Sequence, residues 1–314
     1  MPQATHTRGS SVLFVILACV AAAAGCSSQP VNRVPTAIFD ARVEQLLLSL
    51  QKDPAPNATD HQRAQSVRAK LASQVPEISL ARYRELSDAQ LRGAFELMVA
   101  AHFWTRESRE FQFIETVYSE MDMRRILSRP IRRAYFRAAV LSRRFDIIER
   151  LDVDVADLKQ RIPVLLPAGN WSPNKPSVLE VLDAGRSVKR LNVDFRKELQ
   201  VLAIVHPQCH FSVAALEAIE RDSSLLEALR PMTHWLLPQD DSIPSEIVHS
   251  RNSRIQGATL RIIFTSEHFP SLNTSSTPTF YVLKRGRVVE SLIGWAPERD
   301  NVGALRAMVS RMSE

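Results

Sequence analysis

Residues that staple or punctuate small folds are scarce here: 314 residues carry only three cysteines and nine glycines. So few cysteines exclude a disulfide-built scaffold, and so few glycines exclude a collagen-like repeat. Neither a glycine-rich phosphate loop nor a His-Glu-x-x-His zinc-protease pair occurs. A large charge of one sign is also missing, since 40 lysines and arginines oppose 34 acids for a net charge of +6. Such an excess does not by itself mark a nucleic-acid binder, and no nucleic-acid partner is expected. What is present is a globular balance, 45% hydrophobic and 24% charged, with enough length for two domains.

The one long apolar run is N-terminal. Arg8 precedes an apolar stretch over residues 11–24, too short and too abruptly ended for a comfortable spanning helix. It closes on Ala23-Ala24-Gly25-Cys26, followed by Ser27 and Ser28. Small residues before a cysteine resemble the bacterial lipobox, with Ala23 where that family usually has leucine. The resemblance implies cleavage before Cys26, diacylation of Cys26, and a periplasm-facing protein anchored to a membrane. Ser27, in place of aspartate, implies the outer membrane. A plain secretory signal cut near Ala24, or an uncleaved anchor, stays open. With residues 1–25 removed as a signal peptide, Cys209 is the one free thiol.

Composition then changes twice. Residues 26–60, with prolines at 35, 54 and 56 around a helical stretch at 37–51, read as a tether. Residues 61–158 read as a helical domain, with Ser87 and Gln90 forming a capping box ahead of Leu91, Phe95, Met98 and Val99. An echo at a shift of 34 residues relates Ser108, Arg109, Phe111 and Ile114 to Ser142, Arg143, Phe145 and Ile148. That spacing resembles a tetratricopeptide hairpin. One or two degenerate hairpins and an ordinary helical bundle fit equally well. Nine arginines lie between Arg124 and Arg150. Arg129, Arg133 and Arg137 share one helical face, either as a patch for anionic groups or as a solvated face paired with neighbouring acids.

Residues 159–314 alternate between strand and helix patterns. Prolines 163, 167, 173 and 176 mark a linker or loop, and residues 178–182 and 188–193 read as a hairpin. Strands are expected at 199–205, 233–237, 260–264, 279–283 and 288–293, with helices at 212–221 and from about 297. The predicted fold class is α + α/β, a helical region followed by an α/β sandwich.

Chemistry converges on Cys209. The apolar run at 201–205 leads into His206-Pro207-Gln208-Cys209-His210-Phe211-Ser212, so Cys209 falls at a helix N-terminus, where free amides and the dipole favour a thiolate. Downstream lies Thr277-Pro278-Thr279, then a strand, Gly286 and a second strand. Together these resemble the thioredoxin superfamily over roughly residues 160–314. The resemblance implies a thioredoxin-like domain with Cys209 as nucleophile, Pro278 in the cis form, and Thr277 and Pro278 positioning an extended substrate.

One departure limits the chemistry. Cys209-His210-Phe211-Ser212 is like the Cys-x-x-Ser of monothiol glutaredoxins, or else Cys209 is the family's second cysteine and His206 replaces the first. Either way no internal disulfide forms at the site. His206 and His210 flank the thiol, where they are expected to stabilise its thiolate as tuning groups of the catalytic site, and Ser212 is placed to donate to it. The histidines and Cys209 offer three metal donors. The two cysteines and distant histidine of thioredoxin-fold copper chaperones are absent, and no metal or cofactor is expected. The implied function is monothiol thiol–disulfide exchange or redox assistance on protein thiols and disulfides. The rival is a non-catalytic envelope scaffold whose helical hairpins and degenerate thioredoxin-like domain bind envelope proteins.

Overall fold

The computed structural model describes residues 36–52, 58–76, 78–80, 82–151, 153–168, 171–254 and 258–312. The signal-peptide and lipidation expectations, Cys26 and Ser27 included, lie outside the described residues. Residues Thr36–Glu314 form one compact unit.

The first part is helical: α1 (Thr36–Leu50), α2 (Asp60–Gln74), α3 (Asp88–Thr105), α4 (Ser108–Met123), α5 (Arg129–Leu141), α6 (Phe145–Arg150) and the single turn α7 (Ala156–Lys159). None of the described helices is long and apolar enough to cross a membrane. In α1, Phe39, Val43, Leu46 and Leu50 repeat at helical spacing and are all buried. The Leu50 carbonyl at its end accepts from Trp104 Nε1 of α3 at 2.6 Å. This helix, read as part of a tether, is thus packed into the body.

The Ser87–Gln90 capping box opens α3 as the sequence implies, and an unforeseen one, Thr59 with Gln62, opens α2. Arg106 and Arg143 take left-handed conformations after α3 and α5 and turn the chain back into α4 and α6. The 34-residue echo does not follow these turns. Ser108 begins α4, whereas Ser142 caps the end of α5, so the echo aligns a helix start with a helix end. Aromatic rings fill the seam, with Tyr118 stacked on Tyr135 at 3.9 Å between centroids and Phe111 on Tyr135 at 5.9 Å.

Fully buried His102 of α3 meets the Ser142 hydroxyl through Nε2 at 2.8 Å. Desolvation outweighs the pull of Glu110 and depresses its pKa to about 4. Between the ordinary value of about 6.5 and that of the folded state, the unfolded chain binds a proton the folded chain refuses, so stability falls as pH drops. Acidification from pH 7 to 4.5 is expected to cost about 2–3 kcal/mol through this residue. Urea unfolding of His102→Gln at the two pH values should show that slope flattened.

The second part is a single eight-stranded sheet in the order β1-β3-β2-β6-β5-β4-β7-β8. Its strands are β1 (Val164–Leu166), β2 (Ser177–Leu182), β3 (Ser187–Asn192), β4 (Leu199–Ile204), β5 (Thr233–Leu237), β6 (Leu260–Ile263), β7 (Thr279–Lys284) and β8 (Arg287–Ile293). Helices α8 (His210–Arg221), α9 (Ser223–Leu229), α10 (Ser245–Arg254) and α11 (Asn301–Ser310) connect or follow them. β4, β5 and β6 are parallel, while β7 runs antiparallel to both β4 and β8.

Lying inside the sheet, β4 is apolar on both faces from Val201 through Ile204, all of them buried. Leu202 and Ile204 share a cluster with Leu236, Ile263, Tyr281 and Leu283, so one sheet face carries this core and Val201 and Ala203 point to the other. The proline-bounded stretch read as a loop contains β1, a three-residue edge strand parallel to β3. Its flanking Pro163 and Pro167 delimit the strand without needing an amide in the ladder. The last helix starts at Asn301 and not near 297, because Oδ1 of Asp300 accepts the Gly303 amide at 2.8 Å and caps it.

Buried polar groups join the helices to the sheet. Asp60, the first residue of α2, accepts the Thr274 amide (3.1 Å) and hydroxyl on Oδ2, and Arg63 Nη1 (2.9 Å) on Oδ1. Its own amide donates to the Leu272 carbonyl at 2.9 Å. Arg106 Nη1 adds a bond to the Thr274 hydroxyl at 3.3 Å. Farther along, Arg143 Nη1 donates to the Asp240 carbonyl at 3.0 Å, and Gln239 Nε2 donates to the Leu141 carbonyl.

Candidate functional site

β4 runs out of the sheet through Val205, and a short turn delivers Cys209 to the N-cap of α8. The Cys209 amide donates to the His206 carbonyl at 2.9 Å, and its carbonyl accepts the Val213 amide at 2.9 Å, so the backbone is locked on both sides of the sulfur. Its side chain is half-buried and pairs with no other cysteine among the described residues. Across from it stands the segment before β7. There the Thr277–Pro278 bond is cis, as the resemblance implies. The thiol donates to the Thr277 carbonyl at 3.4 Å. The Pro278 carbonyl is occupied by the Gly294 amide at 2.8 Å, and that of Ser276 by the Thr279 hydroxyl at 2.8 Å.

Ser212 lies one turn into α8 and is fully buried. Its hydroxyl accepts the His206 amide at 3.1 Å, which leaves its own proton for the sulfur. Burial pushes the Cys209 thiol pKa up. Hydrogen bonding from the Thr277 side chain, the Ser212 amide and hydroxyl, and the Phe211 amide outweighs it, so the net pKa lies below that of an ordinary thiol. Helix-terminal amides thus favour the thiolate, as the strand–helix junction implies.

The histidines are arranged differently from expectation. Nδ1 of His206 accepts the Gln208 amide at 3.2 Å, which fixes the proton of the neutral ring on Nε2. Nε2 faces Oδ2 of Asp240 at 4.0 Å. Burial holds the His206 pKa down against the pull of Asp240. His210 is exposed and packs edge-on against Phe211, with ring centroids 5.6 Å apart. Neither ring hydrogen-bonds the sulfur among the described contacts. Nor do any three histidine, cysteine or acidic side chains gather as metal ligands among the described residues.

Cys209, Ser212, Thr277 and Pro278 therefore come together, while His206 and His210 border the site without touching the thiol. Two neighbours went unnoticed in the sequence. Phe211 is 48% exposed beside the sulfur, an apolar side chain left facing solvent at a helix start. Asp240 reaches His206 from the loop after β5, and only the parallel pairing of β4 and β5 brings it there.

Comparison of the chain with protein-family models, with curated proteins and with solved structures finds no match. Function is therefore argued from the site alone.

Proposed function

We propose that the chain carries a monothiol thioredoxin-like site performing thiol–disulfide exchange on partner proteins. The observation that carries this reading is the Cys209 thiol at the N-cap of α8, hydrogen-bonded to Thr277 on the segment leading through cis-Pro278 into β7. The N-cap position, with Ser212 one turn farther on, supports Cys209 as the nucleophilic first cysteine of a Cys-x-x-Ser arrangement. In this reading Cys26 is diacylated and holds the body at the outer membrane, facing the periplasm.

The chemistry balances without a cofactor. The Cys209 thiolate attacks one sulfur of a partner's disulfide. A bond forms between the two proteins, the partner's S–S bond breaks, and the departing thiolate takes a proton from water. Another thiol of the partner then attacks the mixed disulfide and expels Cys209. The result is rearranged disulfides with no net change in oxidation state. Exposed Phe211 would supply an apolar rest for the partner segment.

The test is the pH dependence of Cys209 alkylation in the full chain, read by mass spectrometry of the peptide carrying it. The expected midpoint lies below the ordinary thiol value of about 8.5, and Ser212→Ala should raise it. Cells carrying the wild-type chain should yield mixed disulfides that vanish in Cys209→Ser. A midpoint at or above the ordinary value, with no Cys209-dependent adducts, would leave the envelope-scaffold reading in the lead. What favours that second reading is an apolar groove on the helical part.

A further inference from the structure

Where α3 and α5 part, they leave a groove of about 590 Å³, within the size range of ligand-binding clefts. Its floor is apolar, built from Val99 and Phe103 of α3 with Ala134 and Leu141 of α5. Phe103 remains 40% exposed there. Along one rim stand Arg129, Arg133 and Arg137. Four residues of helix rise about 6 Å, so the three guanidinium stems are spaced over about 12 Å.

These arginines are not equally engaged. Arg133 is paired with Asp157 at 2.9 Å, and its neighbour Arg132 with Asp154 at 3.4 Å. Arg129 and Arg137 are exposed and have no ion pair within 4.0 Å among the described residues, acting only at longer range on Asp157 and Asp241 respectively. Against them the groove holds a single acid, Asp241. An apolar floor beside two exposed cations that no close ion pair holds among the described residues, two helical turns apart, is complementary to one kind of surface.

We propose that this groove docks an acidic amphipathic helix of a partner protein. A helix lying along α5 repeats its carboxylates at the same 6 Å rise and turns an i, i+3, i+4, i+7 apolar stripe onto the floor. A single-headed acyl chain would neutralise one arginine and leave the other. A flat bilayer surface would not reach a floor set between two helices. The groove borders the site described above, because Asp241 follows Asp240, which faces His206. Docking at the groove does not require Cys209 to react, so the two readings fail separately.

The test uses the full chain in detergent and a fluorescent 18-residue peptide, leucine at the stripe positions and glutamate beside them, followed by anisotropy. Binding is expected to be salt-sensitive, to weaken at least about tenfold in Arg129→Glu/Arg137→Glu, and to weaken about fivefold in Phe103→Ser. Both variants alter exposed side chains, and unchanged urea midpoints would certify their folding. A peptide with every glutamate replaced by lysine should not bind. Equal affinity for the two peptides, indifference to the double substitution, or no binding at millimolar peptide would each overturn the proposal. Arginine-dependent binding to phosphatidylglycerol vesicles, in place of the peptide, would overturn it in favour of a lipid surface.

Discussion

Asp60→Ala is expected to lower the stability of the protein by about 3–5 kcal/mol, the usual cost of breaking a buried ion pair from one side. The Arg63 side chain is only 1% exposed, so the variant takes the Asp60 carboxylate from a cation that water does not reach, leaving it the weaker company of the Ser275 hydroxyl at 3.5 Å and the Trp104 ring at 5.9 Å. The Thr274 amide and hydroxyl lose their acceptor at the same time. Urea unfolding of the double variant Asp60→Ala/Arg63→Met should recover more than half of that loss, because a methionine needs no partner. The effect should extend to the thiol, since Thr274 lies on the short segment that leads to Thr277. Under conditions where Asp60→Ala remains folded, the alkylation midpoint of Cys209 should rise. A loss below about 1 kcal/mol would mean that the pair is solvated and does not clamp the segment.

Gly185→Ala should also be severe. Gly185 sits between β2 and β3 with φ +88°, and an added Cβ would lie 2.7 Å from both Cα and N of Glu246. Those are backbone atoms at the start of α10 and cannot swing aside as a side chain would. The clash, at about 1–3 kcal/mol for overpacking, adds to about 1 kcal/mol for holding alanine at positive φ. Gly294 provides the control, because its φ is +79° but nothing lies within 4 Å of the added Cβ. Gly294→Ala should therefore cost only about 1 kcal/mol. Equal thermal destabilisation of the two would show that backbone conformation alone sets the cost and that α10 yields.

Local pattern made much of this architecture readable. Strand β5 was expected at 233–237 and is found at Thr233–Leu237, because a short apolar run between polar turns has few other uses. The Ser87–Gln90 box was readable for the same reason, being a contact over three residues. The junction that positions Cys209 needs only a strand running into a helix.

What escaped notice depends on distance along the chain. Nothing near Asp60 announces Thr274, which is 214 residues away. The orientation of His206 follows from Asp240, which only strand pairing brings near. The end of α3 and α5 on left-handed arginines also has no local signature, since glycine is the usual residue there. A 34-residue echo could therefore look like a repeat while falling out of step with the turns.

The span between Asp60 and Thr274 has a consequence for how the chain matures. A ribosome adding about 5–20 residues per second completes Asp60 and Arg63 roughly 10–40 s before it reaches Thr274. The helices α1 to α6 make mostly neighbouring contacts and have what they need to fold during that interval. The Asp60 carboxylate already has Arg63 on one oxygen, but its other oxygen waits for a loop that has not been made, and β4 waits equally for β7 on its antiparallel side. Emergence of residues 272–284 therefore completes the clamp, the middle of the sheet and the surroundings of the thiol together, so a nascent chain stalled before them would hold Cys209 without the segment that faces it.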